Sequence, residues 1–194
     1  MNLLVWNCRG LGNPRKVQAL QDIIQQKDPK LVFLCETKCK AEFLNGLRIK
    51  LGFRRVFGVS SNGQSRGLGL FWSGDINLRI ISSSERFIDS EIGAIGDAVH
   101  WRFTGFYEHQ ATKERQISWD IMRQLATSCS LPWLIGGDFN ELLGIHEKEG
   151  GPVRPMNQIM AFQNAVCDCH LHDLGFLGTP YTWITTRAGV SKNG

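Results

Sequence analysis

The sequence predicts a layered α/β protein in which packed sheets are flanked by helices. Three observations lead there. An apolar segment, a helical segment and a second apolar segment follow one another within residues 2–35, the right length for a parallel crossover. From Phe53 to Tyr107 the text changes to strands separated by turn signals. Helical and strand patterns then alternate again toward the C-terminus.

Taken in order, Asn2 to Asn7 reads as a buried strand, because Leu3, Leu4, Val5 and Trp6 are apolar on both faces, as in a covered sheet. Asn13-Pro14 reads as an N-cap followed by proline at the first helical position, where its missing N–H costs nothing. Val17, Leu20, Ile23 and Ile24 mark one face of that helix, and Asp28-Pro29 stops it. Leu31 to Cys35 is a second apolar strand, ending in Glu36, and a short helix follows over Ala41 to Leu51. Turn signals at Asn62-Gly63, Ser73-Gly74 and Gly93 to Gly96 punctuate the strand-rich middle, and Ala98 to Tyr107 reads as one long strand. Thr112 caps a helix whose apolar face is Ile117, Ile121 and Leu125. Trp133 to Ile135 is another buried strand, followed by Gly136-Gly137-Asp138-Phe139-Asn140. The loop Gly144 to Pro155 is polar and rich in glycine and proline. The last helix carries Ile159, Phe162, Val166 and Cys169 on one face. Tyr181 to Ile184 reads as a final strand, and Thr185 to Gly194 is polar and weakly patterned.

Composition narrows the function classes. A chain of 194 residues is long enough for one sizeable core and short for two independent domains. Hydrophobic residues at 42% and charged residues at 21% exclude wholesale disorder. No apolar run approaches the ~20 residues of a membrane span. Leu3 to Trp6 is too short for a signal-peptide core and has no basic residue before it, so the expectation is a soluble intracellular chain that is not secreted. Lys and Arg total 22 against 18 Asp and Glu, a formal charge of +4 that is compatible with an anionic partner without demanding one. The six cysteines, with no export signal, read as buried thiols in a reducing compartment rather than a disulfide framework.

Chemistry is sought at the C-terminal ends of buried strands, because those ends open into a crevice in α/β sheets. Asn7 ends the first strand, Glu36 the second, and Asp138 and Asn140 follow the strand at Trp133 to Ile135. Each is a hard oxygen donor or an amide. Two carboxylates converging from separate strands repel unless a cation lies between them, and Mg²⁺ or Mn²⁺ takes one or two carboxylates, keeps several waters and completes its shell with substrate phosphate. Asparagines orient a phosphate or a water without adding charge. Each residue also has a structural alternative. Glu36 reads equally as a solvated strand end, Gly-Gly-Asp-Phe-Asn as a tight turn, and Asn7 as an ordinary strand terminus.

Four segments, Trp6-Asn7-Cys8-Arg9-Gly10, Leu34-Cys35-Glu36-Thr37-Lys38, Gly105-Phe106-Tyr107 and Gly137-Asp138-Phe139-Asn140, occur in the order seen in the endonuclease/exonuclease/phosphatase superfamily, whose fold is that of DNase I. The sequence most resembles the endonuclease domain of plant LINE-type (non-LTR) retrotransposons, over Asn2 to about Ile184. The resemblance implies one domain over residues 1–184 with a polar tail at 185–194. It implies a four-layer α/β sandwich of two packed mixed sheets flanked by helices, and a Mg²⁺-dependent (Mn²⁺ in its place) phosphodiesterase that nicks DNA as a monomer. In that frame Glu36 is the principal metal ligand and Asn7 sits beside it, placing the metal and its waters. Tyr107 hydrogen-bonds the scissile phosphate, Asp138 positions or deprotonates the attacking water, and Asn140 orients Asp138 and the phosphate. Thr182 matches a strand near the DNA path, and Arg9, Arg15, Lys16, Lys38 and Arg66 are placed to follow a phosphate backbone or to form a solvated face.

Two departures from the family pattern shape the expectation. Apurinic endonucleases carry an acid two positions after the asparagine, where this chain has Arg9, a cation suited to phosphate rather than metal. The family's C-terminal Asp segment and Ser-Asp-His-like motif do not occur in these residues, so the expectation is a truncated domain lacking its last strands, with weak turnover. A DNA-binding remnant and a phosphatase of the same superfamily are the alternatives. Among the histidines, His100 falls in a strand, His109 follows Tyr107, and His146 lies in the glycine-rich loop. His170 and His172 follow Cys167 and Cys169 at a spacing unlike structural zinc sites.

Overall fold

The computed structural model describes residues 1–61, 66–93, 96–108 and 114–178. The chain divides into two compact units, Met1–Asn140 and a second beginning at Glu141.

The first unit holds two four-stranded mixed sheets. In the first, β1 (Leu3–Asn7), β2 (Leu31–Cys35), β3 (Arg55–Val59) and β4 (Leu68–Trp72) lie in the order β1-β2-β4-β3, with β1 and β2 parallel. In the second, β5 (Leu78–Ser83), β6 (Phe87–Ile92), β7 (Trp101–Tyr107) and β8 (Trp133–Asp138) follow in sequence, with β7 and β8 parallel. Helices α1 (Pro14–Lys27) and α2 (Ala41–Lys50) cover the outer face of the first sheet, and α3 (Arg115–Thr127) packs on the outer face of the second. The unit therefore has the four layers expected of it.

β2 shows why its sequence is apolar throughout. Leu31, Phe33 and Cys35 enter the core between the sheets, while Val32 and Leu34 pack under the helices, and all five are fully buried. Phe33 meets Phe103 of β7 edge to face, with ring centroids 6.2 Å apart, so one side chain joins the two sheets. Gly105 makes room for it: a Cβ there would fall 2.2 Å from the Phe33 ring. The predicted cap of α1 is present, the Asn13 side-chain oxygen accepting from Arg15 N at 2.9 Å, and Asp28 ends the helix in the left-handed region at φ 42°.

Three expectations are corrected. The long strand begins at Trp101 rather than Ala98. β8 runs through Gly136 and Gly137 to Asp138 instead of turning after Ile135. At Gly137 the neighbouring strand leaves no space for a side chain: a Cβ there would lie 1.7 Å from the Phe106 carbonyl oxygen. On α3 the buried face is Ser118, Trp119, Met122 and Leu125, with Ile117 left 54% exposed. The reason lies in β7, whose outer face is not purely apolar. Arg102 is buried there, paired with Asp89 at 2.8 Å and donating to Leu125 O and Ser128 Oγ, so α3 turns polar groups and carbonyls toward it. The cysteines also divide: Cys8, Cys35 and Cys169 are buried, but Cys167 is exposed.

The second unit contains a short 3-10 turn at Ile145–Glu147 and α4 (Met156–Asp168), which buries Ile159, Phe162 and Ala165. Gln163 donates to Leu143 O at 2.7 Å and Arg154 pairs with Glu141, tying helix and loop together. The turn at Asn62-Gly63, the cap at Thr112, and the strand Tyr181 to Ile184 with Thr182 lie outside the described residues. No described helix is long and apolar enough to cross a membrane.

Candidate active site

Four strands end at one place. β1 and β2 are parallel with Asn7 opposite Cys35, and β7 and β8 are parallel with Tyr107 opposite Asp138. The C-terminal ends of both parallel pairs therefore carry Asn7, Glu36, Tyr107 and Asp138. The two sheets bring them together through one amide. Asn7 Nδ2 donates to Glu36 Oε1 at 2.8 Å and to Asp138 Oδ2 at 2.7 Å, while its Oδ1 accepts from Arg9 N at 3.1 Å. The amide orientation follows from these partners, since two carboxylates call for the NH₂ group.

Glu36 stands just beyond β2 in the left-handed region at φ 53°, a conformation that costs a non-glycine residue about 1–2 kcal/mol. Backbone bonds on both sides hold it there: Glu36 O accepts from Gly10 N at 2.7 Å, and Thr37 N donates to Gly67 O at 3.0 Å. Strain over-determined by its surroundings is typical of a functional position. Tyr107 is buried, with its hydroxyl beside the Glu36 carboxylate. Burial, and then the Glu36 charge, push that hydroxyl well above the usual phenol range, so it remains a donor. The Cys35 thiol is likewise pushed up, first by burial and next by the charge of Asp138.

Asp138 is held from its own side by Asn140, whose backbone N donates to Asp138 Oδ1 at 3.0 Å from a left-handed conformation at φ 48°. The Asn140 side chain in turn donates to Glu108 O at 2.6 Å, and Glu108 N donates to Asp138 O at 2.9 Å. Sequence offers little sign of Glu108; its only mark is a charge directly after a strand that is otherwise buried.

All five residues singled out from the sequence thus lie in one cluster. Arg9 and Lys38 are exposed on the loops just beyond it, Arg15 is exposed on α1, and Lys16 and Arg66 are committed elsewhere. Lys16 Nζ donates to Cys8 O at 3.0 Å, and Arg66 pairs with Glu85 and Glu114. His100 is bonded to Glu91 at the end of β7 opposite Tyr107, and His109 lies outside the described residues.

The donor set suits a hard divalent cation. Glu36 and Asp138 are two carboxylates on one amide nitrogen, and among the described residues neither forms an ion pair. The Asn7 amide lies between them without cancelling their charge, and carboxylate oxygens are the ligand type that favours Mg²⁺ or Mn²⁺.

A family model described as the Endonuclease/Exonuclease/phosphatase family matches residues 4–191. Solved structures share the fold. The endonuclease domain of TRAS1, a telomere-specific non-LTR retrotransposon, superposes with TM-score 0.67 at 14% identity, over 90% of this chain and 74% of that one. The AP endonuclease from Leishmania major gives 0.62 at 13% identity, over 86% of this chain and 66% of that one. A 3′ phosphatase from Neisseria, solved with a product DNA hairpin, gives 0.63 at 13% identity, over 87% and 71%. This chain therefore spans about two thirds to three quarters of the length of these proteins. No curated protein matches it.

Proposed function

Because the chain belongs to the Endonuclease/Exonuclease/phosphatase family, we propose that the cluster at the ends of β1, β2, β7 and β8 is a divalent-metal-dependent phosphodiesterase site that nicks DNA. The observation that carries this reading is the Asn7 amide bonded to Glu36 and Asp138 from opposite sheets. Glu36 would hold Mg²⁺ or Mn²⁺, with the Asn7 amide orienting its carboxylate. When bound, the ion neutralises phosphate charge and lowers the pKa of water. The residues do the rest. Tyr107, kept protonated by burial and the Glu36 charge, donates to a phosphate oxygen. Asp138 accepts the proton of the attacking water, and Asn140, through its backbone N–H, holds Asp138 in the orientation for that transfer. Positioning and charge neutralisation supply most of what such a displacement needs. DNA as the substrate is supported by the Neisseria relative solved with a DNA hairpin, and descent from a LINE-type retrotransposon endonuclease by the likeness to the TRAS1 domain.

The test is nicking of supercoiled plasmid with Mg²⁺. Conversion to open circles that EDTA and Glu36→Ala abolish supports the reading. Conversion unchanged in Glu36→Ala, or cleavage confined to soluble phosphate esters, overturns it. DNA binding alone is the second reading, and it predicts retention that falls with salt and no nicking at any metal concentration.

A further inference from the structure

A buried ion pair behind the site is absorbed neither by the mechanism above nor by any sequence motif. Glu108 is fully buried directly after Tyr107, and Arg86, also buried, lies in the turn before β6. Burying two charges is costly unless their geometry is well satisfied, and nothing about the core requires charge at this place. Arg86 reaches four groups. Its guanidinium donates to Glu108 Oε1 at 3.4 Å, to Ser118 Oγ of α3 at 3.0 Å and to Glu114, and its carbonyl oxygen accepts from Tyr107 N at 2.7 Å. Glu108 passes the constraint on through its backbone. Its N–H bonds Asp138 O, and its carbonyl accepts the Asn140 side chain, whose own N–H holds the Asp138 carboxylate.

We infer that Arg86 and Glu108 are positioning residues, which fix Tyr107 and the Asn140–Asp138 pair relative to Glu36 by clamping the end of β7 to α3. The inference rests on the phosphodiesterase reading for its consequence but not for its geometry. Two side chains at the site depend on the pair from two directions: Tyr107 through the Arg86 carbonyl, and Asp138 through the Glu108 carbonyl and Asn140. A fixed Asp138 is worth more to turnover than to binding, because its orientation matters when the water gives up its proton.

The experiment compares wild-type chain with Glu108→Gln, which keeps the shape and every backbone bond, and with Ser118→Ala, which removes a single partner of Arg86. Glu114 still balances Arg86 in Glu108→Gln, so that variant retains a paired guanidinium. The first readout is the Asn140 side-chain amide in metal-free nitrogen-15 spectra. Both variants should shift its signals and speed its exchange with solvent, Glu108→Gln more than Ser118→Ala, while the melt stays cooperative. The second readout is nicking, where kcat should fall about tenfold with KM little changed. Asn140 signals that stay in place in both folded variants overturn the inference, as does a KM effect without a kcat effect. If Glu108→Gln fails to fold, Ser118→Ala decides alone. If wild-type chain nicks nothing, the phosphodiesterase reading falls by itself and the amide spectra still decide the inference.

Discussion

A single amide does unusual service in this molecule. Asn7 has four hydrogen-bonding positions and spends three of them on Glu36, Asp138 and the Arg9 backbone, so one neutral NH₂ group holds two carboxylates from different sheets close together. Away from the site, Glu91 shows the opposite arrangement. Its carboxylate is bonded first by His100 and then by Arg79, which hold it below the ordinary glutamate value of 4.5. A lowered pKa means the unfolded chain takes up the proton first as the solution is acidified. The stability from this group is therefore complete above the ordinary glutamate range and is lost as pH falls through the lowered folded value. Thermal melts from pH 7 down to pH 3 should lose less in Glu91→Gln than in wild-type chain. The difference should stay under about 1 kcal/mol, because the Arg79 side of the cluster is open to solvent. Parallel curves for the two proteins would refute the assignment.

At the scale of elements, glycine decides how closely strands and sheets approach. Gly105 faces Phe33 across the core and Gly137 abuts the Phe106 backbone, and neither contact has the flexible side-chain end that could move aside cheaply. Gly105→Ala should destabilise the fold by about 1–3 kcal/mol through overpacking, read as a lower urea midpoint with unchanged slope. The paired variant Gly105→Ala with Phe33→Leu, which restores space, should recover part of that loss. An unaltered midpoint in Gly105→Ala would mean the sheets are not in this register. The same tight packing explains how the site is placed, since the two parallel pairs β1–β2 and β7–β8 must stand close for one Asn7 side chain to span them.

For the whole molecule, the proposed cation site makes a prediction about stability, since an ion that binds only the folded chain stabilises it. By mass action a ligand at 100 times its Kd adds about 2.7 kcal/mol, which for a chain of this size raises Tm by about 2–4 °C per kcal/mol. Calorimetry with and without millimolar Mg²⁺ should show a rise of several degrees, absent in Glu36→Ala and reversed by EDTA. An equal rise in Glu36→Ala would place the ion elsewhere.

Much of this was legible from residues alone. The Asn13-Pro14 start of α1, the doubly apolar β2 and the residues at strand ends follow from local rules of capping, periodicity and crevice formation, which act over a few neighbours along the chain. The helix face of α3 and the true end of β8 were not legible, because Arg102 and the Phe106 carbonyl impose them from other strands. Residue types and their order determined which groups could do the chemistry. Only the tertiary structure decided that Asn7 joins Glu36 to Asp138 and that Arg86 and Glu108 stand behind them, since those partners lie up to 131 positions apart and meet only when two sheets pack face to face.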